Sequence, residues 1–187
     1  MKSIINLTFI FILLIVTSCF APMGSTSSTL ESSTYNDKTN TTDYMVFPLG
    51  SVSLPGEWTK THYADISHQQ WFKNADSISV AVAFTACDYY EFSKKDLKDF
   101  AFVKAYYEWD AKYLSEQLNI RDTILLADTV NNYIVWRLWG ESKKIEIDSY
   151  FLFGCRNCSV SNFSITANKW PEEQNVKFLL DLYLKKD

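Results

Sequence analysis

Read for its apolar positions alone, the chain opens with a long apolar run, passes through a polar stretch, and then alternates between two periodicities. Residues 4–16 are apolar except for Asn6 and Thr8, and residues 20–43 (FAPMGSTSSTLESSTYNDKTNTTD) are dominated by Ser and Thr. Such a stretch buries too little surface to offset its ordering entropy, so residues 19–43 read as a flexible linker and residues 44–187 as one globular domain. Residues 46–48 and 51–54 read as short strands around Leu49-Gly50, followed by a Pro55-Gly56 turn and a further extended piece from Trp58. Residues 78–84 (ISVAVAF) alternate and are rich in β-branched side chains, which predicts a strand.

The period then lengthens. Leu97, Phe100, Val103, Tyr107, Ala111, Leu114 and Leu118 recur at steps of three and four, which predicts a long amphipathic helix with Ser93 as its cap and Asp96 as the reciprocal partner. Phe102, Tyr106, Trp109 and Tyr113 form a second stripe beside the first and widen the face packed on a sheet. Residues 123–127 and 133–139 read as strands around Asn131-Asn132, and residues 145–153 and 159–166 as a hairpin with Arg156-Asn157 at its tip. Pro171, followed by Glu172 and Glu173, opens a last helix whose stripe is Val176, Leu179, Leu180 and Tyr183, with Lys185 and Lys186 near its end. Hairpin-linked strands with two segregated helices predict an α+β fold: an antiparallel sheet of about six to seven strands, one long central helix and a C-terminal helix.

The stretch Gly50-Ser51-Val52-Ser53-Leu54-Pro55-Gly56-Glu57-Trp58, with Leu54-Pro55-x-x-Trp58 as its local motif, resembles the opening of PsbP-like domains. Small bacterial lipoproteins of the DcrB type share that fold. The resemblance covers residues 44–187 in element order and implies a PsbP-like sandwich. It supplies no shared catalytic residues, and the photosynthetic role of PsbP is not implied.

Lys2 before the apolar run gives residues 1–18 the layout of a signal peptide, since the run is short for a membrane span. Val16-Thr17-Ser18-Cys19 resembles the bacterial lipobox, with Val16 in place of the commoner Leu and Ser18 in place of Gly or Ala. The resemblance implies a diacylglyceryl group on the Cys19 thiol, cleavage just before it, and a domain tethered in the cell envelope. Val16 and Ser18 also fit ordinary signal peptidase cleavage, so plain secretion is the alternative and an uncleaved anchor the third. Stable anchoring takes more than one acyl chain, which a fully acylated Cys19 provides. No acidic cluster follows Cys19, which favours a domain facing the periplasm, on the inner or the outer membrane, over one displayed at the surface.

The formal charge of −4 and the absence of a basic stripe argue against nucleic acid and against binding anionic lipid by charge. With five glycines and no Gly-rich phosphate loop, no nucleotide is expected, and the sequence calls for no cofactor. The two histidines, His62 and His68, are six apart and share no helix face, so an envelope hydrolase would have to pair one of them with a distant acid. Asp122, Asp128, Glu146 and Asp148 are not paired as a glycosidase acid and nucleophile.

Cys155-Arg156-Asn157-Cys158 is the one cluster that suggests chemistry. It lies between strands, not at the helix N-terminus that lowers the pKa of a redox thiol. Zinc would need a second ligand pair, which Cys87 and two distant histidines do not supply. A hairpin-tip disulfide, a disulfide from Cys87 to Cys155 or Cys158, free thiols, and a thiol-redox pair at Cys155 and Cys158 all stay open. Six Trp and eleven Tyr leave an aromatic ligand surface as the other lead. Alternation puts Ile134, Trp136 and Leu138 on one sheet face, and Tyr133, Val135, Arg137 and Trp139 on the other. If that second face is open, Arg137 and Trp139 form the ligand surface. The resulting expectation is a non-catalytic, membrane-tethered accessory domain that binds an envelope protein or a cell-wall component.

Overall fold

The computed structural model describes residues 29–93, 97–166 and 170–185. The apolar leader, the lipobox and Cys19 lie outside the described residues, as do Asp96 and Lys186. Ten strands and two α-helices follow in order: β1 (Leu30–Asn36), β2 (Thr41–Phe47), β3 (Gly50–Pro55), β4 (Thr59–Ala64), β5 (Gln69–Lys73), β6 (Ser79–Ala86), α1 (Asp99–Leu118), β7 (Arg121–Asp128), β8 (Tyr133–Ser142), β9 (Ile145–Arg156), β10 (Ser159–Thr166) and α2 (Glu172–Leu184). The class is α+β, as the periodicities predict. β1-β2-β3 form one antiparallel sheet, and β4-β5-β6-β10-β9-β8-β7 form a second. Among the described residues no helix is long and apolar enough to cross a membrane.

The large sheet is buried on both faces along its middle strands, while its edge strands β4 and β7 are mostly exposed. β6 and β10 sit at its centre and are buried along most of their length, which is why residues 78–84 show a nearly continuous apolar run. β8 sorts its side chains as its alternation predicts. Ile134, Trp136 and Leu138 pack under α1, whereas Tyr133 and Val135 face the small sheet and α2.

Two corrections concern strands. Residues 30–43 form β1, a turn at 37–40 and the start of β2, and are not free linker: β1 pairs with β2 from Leu30↔Phe47 to Asn36↔Thr41. β1 is exposed on nearly every position, so it carries no apolar stripe to read. Its backbone ladder holds it, helped by a Lys60–Glu31 ion pair and a Tyr35 hydroxyl donating to Asn40 Oδ1 at 3.0 Å. β5 was not anticipated either, because QQWFK shows only two large apolar residues; Gln70 and Phe72 are its buried positions.

Two more concern helix starts. Ser93 lies in a short 3₁₀ turn, and α1 begins at Asp99 after an extended Lys98 with no side-chain cap. Pro171 is the residue before α2, not its first turn. At the far end of α1, Asn119 takes the left-handed conformation (φ 54°) and its N–H bonds the Ser115 carbonyl, a cap that asparagine tolerates.

The Leu54-Pro55-x-x-Trp58 motif joins the two sheets. Thr42, buried in β2, donates to the Gly56 carbonyl and accepts from the Trp58 N–H, both at 2.9 Å. The Trp58 indole donates to the Pro55 carbonyl at 2.9 Å, and its ring packs 6.0 Å from that of Phe178 on α2.

Candidate functional site

Arg137 is engaged within the fold. Its guanidinium makes a two-pronged bond to Asp148 (Nε to Oδ1, 2.7 Å; Nη2 to Oδ2, 2.9 Å), while Nη1 reaches Glu172 Oε2 at 3.1 Å. The Asp148 carboxylate holds the guanidinium in its charged form and shifts its pKa upward. β8, β9 and the first turn of α2 are thereby braced together. Trp139, half-exposed, stands between two guanidinium groups, with Arg121 5.3 Å and Arg137 5.8 Å from its ring.

The histidines sit at the exposed β4–β5 end of the large sheet. His62 stacks on Trp71 at 5.3 Å, and His68 Nδ1 lies 3.0 Å from the Tyr63 hydroxyl. Among the described residues neither pairs with a carboxylate, which a histidine–acid hydrolase site would require. Of the four strand carboxylates, Asp148 is taken by Arg137, Glu146 is exposed on β9, and the other two are occupied structurally. Asp122 accepts from the Tyr107 hydroxyl at 2.6 Å, and Asp128 caps the β7–β8 turn through the Val130 and Asn131 amides at 2.8 and 2.9 Å. Among the described residues no cluster of three potential metal ligands occurs.

The thiols pair differently from the sequence motif. Cys155 faces Cys87 with sulfur atoms 3.5 Å apart, both buried, while Cys158 is exposed at the turn. All three are free thiols.

The feature with the form of a binding site is one that local sequence does not reveal. A groove of about 670 Å³ runs between the β2–β3 end of the small sheet, β10 and the C-terminal half of α2. Phe84, Phe163 and Leu182 give it a buried apolar floor. Its rim carries Arg156, Lys185 and Asp181 with the hydroxyls of Ser159 and Ser161. Clefts of a few hundred cubic ångströms with an apolar lining and a few converging polar groups are the usual form of ligand sites.

Arg156 is the rim's most distinctive group. Its guanidinium lies over the Tyr183 ring, with Cζ 4.1 Å from the ring centroid. Tyr183 is fixed in turn, because its hydroxyl donates to the Asn131 and Asn132 carbonyls at 2.9 and 3.2 Å. Asp181 is occupied by Lys177 (2.6 Å) and Lys185 (3.3 Å), and those lysines hold its carboxyl below the usual range. Among the described residues Arg156 makes no ion pair, so a cation seated over Tyr183 edges the groove. Sequence reading placed Arg156 at a hairpin tip and could not see that Tyr183, 27 positions on, would orient it. Compared with known protein families and with curated proteins, the chain matches none.

Proposed function

We propose that this chain is an envelope lipoprotein, acylated at Cys19 and facing the periplasm, whose domain works by binding and not by catalysis. The observation that carries the binding reading is the groove at the seam of the two sheets, with its phenyl floor and its Arg156 edge. The floor suits an apolar body, and a guanidinium seated over Tyr183 suits an anionic group beside it, since Arg presents paired donors to carboxylate or phosphate. The tether rests on the likeness of Val16-Thr17-Ser18-Cys19 to the lipobox. It would confine the ligand to the envelope, as part of a protein or of the cell wall.

Two measurements test the two halves separately. Growth with labelled palmitate should label the wild type and not Cys19→Ala; an unlabelled wild type ends the tether. Envelopes solubilised in detergent and passed over the acylated protein should yield a reproducible partner. Arg156→Glu should cut its recovery at least tenfold while leaving the fold intact, and equal recovery would remove the groove from the function.

A further inference from the structure

Three cysteines distant in sequence meet where β6 ends and the β9–β10 hairpin turns. The β6–β10 register, Ser159↔Ala86 at its end, sets Cys87 opposite Cys158, and the Cys87 N–H donates to the Cys158 carbonyl at 3.1 Å. On the same side Cys87 Sγ lies 3.5 Å from Cys155 Sγ. A disulfide bond is about 2.05 Å long, so the pair needs to close by about 1.5 Å. Cys87 and Cys155 are buried under the start of α1 among Val103, Phe153 and Val160, whereas Cys158 is exposed.

Burial, and then the neighbouring Cys155 and Cys158, raise the Cys87 thiol far above its ordinary range; burial also shifts Cys155 upward. Thiols of that kind are inert toward outside reagents, which fits a structural pair better than a catalytic one. An oxidant also has no direct path to them. The exposed thiol beside them supplies one.

We propose that Cys87 and Cys155 form a disulfide site that is loaded through Cys158. The Cys158 thiolate attacks a small external disulfide, giving a mixed disulfide and releasing one small thiol. Cys87, its proton passed to solvent, attacks the Cys158 sulfur and expels the second small thiol, leaving a Cys87–Cys158 bond. Cys155 then attacks Cys87 Sγ, the bond moves inward, and Cys158 recovers its proton. Two protein thiols are oxidised and one external disulfide is reduced to two thiols, which take up the two protons. The product ties the segment between β6 and α1 to β9 across one strand. The proposal draws only on the domain and stands apart from the lipid tether.

The test uses the reduced full chain carrying Cys19→Ala, so that three thiols remain, with oxidised glutathione as the probe. Samples quenched with iodoacetamide over time are mapped by mass spectrometry without reduction. The expected end state is a Cys87–Cys155 cross-link with Cys158 alkylated. Cys158→Ser should slow that cross-link at least tenfold, and Cys155→Ser should stop at the Cys87–Cys158 bond. A final Cys155–Cys158 link, no link at all, or an unchanged rate in Cys158→Ser would overturn the proposal.

Discussion

The two faces of the seven-stranded sheet are closed by different means. On one, a single helix, α1, lays aromatic rings directly on the strands: Tyr106 stacks on Phe153 of β9 with centroids 4.1 Å apart, and Tyr107 meets Trp136 of β8 edge-on at 5.6 Å, where Trp136 itself stacks on Phe151 of β9 at 4.3 Å. Tyr106 is also tied by polar bonds, since its hydroxyl accepts from Asn162 Nδ2 at 2.7 Å and from Tyr90 at 3.1 Å. On the other face the cover has two parts, the small sheet with Tyr44, Val52 and Leu54, and α2 with Phe178, Leu179 and Leu182. One cover leaves no seam; two covers leave one, and the groove lies in it. Binding capacity here follows from how the face is closed, and the chemistry of the groove follows from which side chains edge the seam.

The face under α1 should be the costlier one to damage. Trp136 is fully buried between Phe151 and Tyr107, so Trp136→Ala leaves a large void and should cost about 3–5 kcal/mol. Urea unfolding measures it; a loss under 1 kcal/mol would mean that α1 closes loosely. The opposite face is sensitive to added volume instead. A Cβ at Gly154 would lie 2.2 Å from the Tyr183 ring, so Gly154→Ala has to displace Tyr183 from its seat. Overpacking of this kind typically costs about 1–3 kcal/mol. It should also release Arg156 and weaken partner recovery, and Tyr183→Leu in the same chain should restore stability without restoring recovery.

These two residues also show what the sequence made legible. Period-two alternation along β8 assigned Trp136 to one face and Tyr133 and Val135 to the other, because a strand buried on both sides still alternates. The helix was legible in extent but not in aim. The deepest residues are drawn from both expected stripes, Val103 and Ala111 from the first and Phe102 and Tyr106 from the second, whereas Trp109 and Tyr113 of the second stand exposed. Two adjacent stripes fit the same period, and the Phe153 ring, contributed from another element, sets how deep Tyr106 sits. β1 was illegible because strands held by ladder bonds, with both faces wet, need no apolar stripe. The groove draws its lining from β3, β6, β9, β10 and α2, so no local window contains it.

A smaller effect, readable through pH, belongs to the α1 face. Asp110 lies beside Tyr90, Tyr106 and Trp109, and burial pushes its carboxyl up to about 6. An unfolded Asp releases its proton near pH 3.9, so between about pH 4 and 6 the folded state holds more protons than the unfolded one. This group's contribution is therefore most favourable below about pH 4, falls as pH rises to about 6, and is flat above that. Asp110→Asn should remove that fall and stabilise the domain at pH 7 by about 1 kcal/mol. Urea midpoints of wild type and variant compared at pH 4 and 7 check it. A difference that does not change with pH would show that water reaches the carboxyl and that the α1 face is looser than its rings suggest.

The smallest effect separates an ion pair at the seam side from one on the outside of α1. Arg137 and Asp148 are about 30% and 29% exposed, and their bond is two-pronged and adjoins Glu172 at the start of α2. Lys104 and Glu108 on α1 are 63% and 61% exposed and 3.7 Å apart. Solvent screens both, so neither exceeds roughly 1 kcal/mol, and the helical pair belongs near 0.3–0.5 kcal/mol. A double-mutant cycle with Arg137→Met and Asp148→Asn should give a coupling of about 1 kcal/mol, at least twice that of the Lys104–Glu108 cycle. It should also survive 0.5 M salt better, because its charges are the less exposed. Arg137→Met alone should loosen the first turn of α2, seen as faster amide exchange at residues 175–177. Equal couplings in the two cycles would mean that α2 is held by its apolar face alone, and that Arg137 and Trp139 are free to meet a ligand after all.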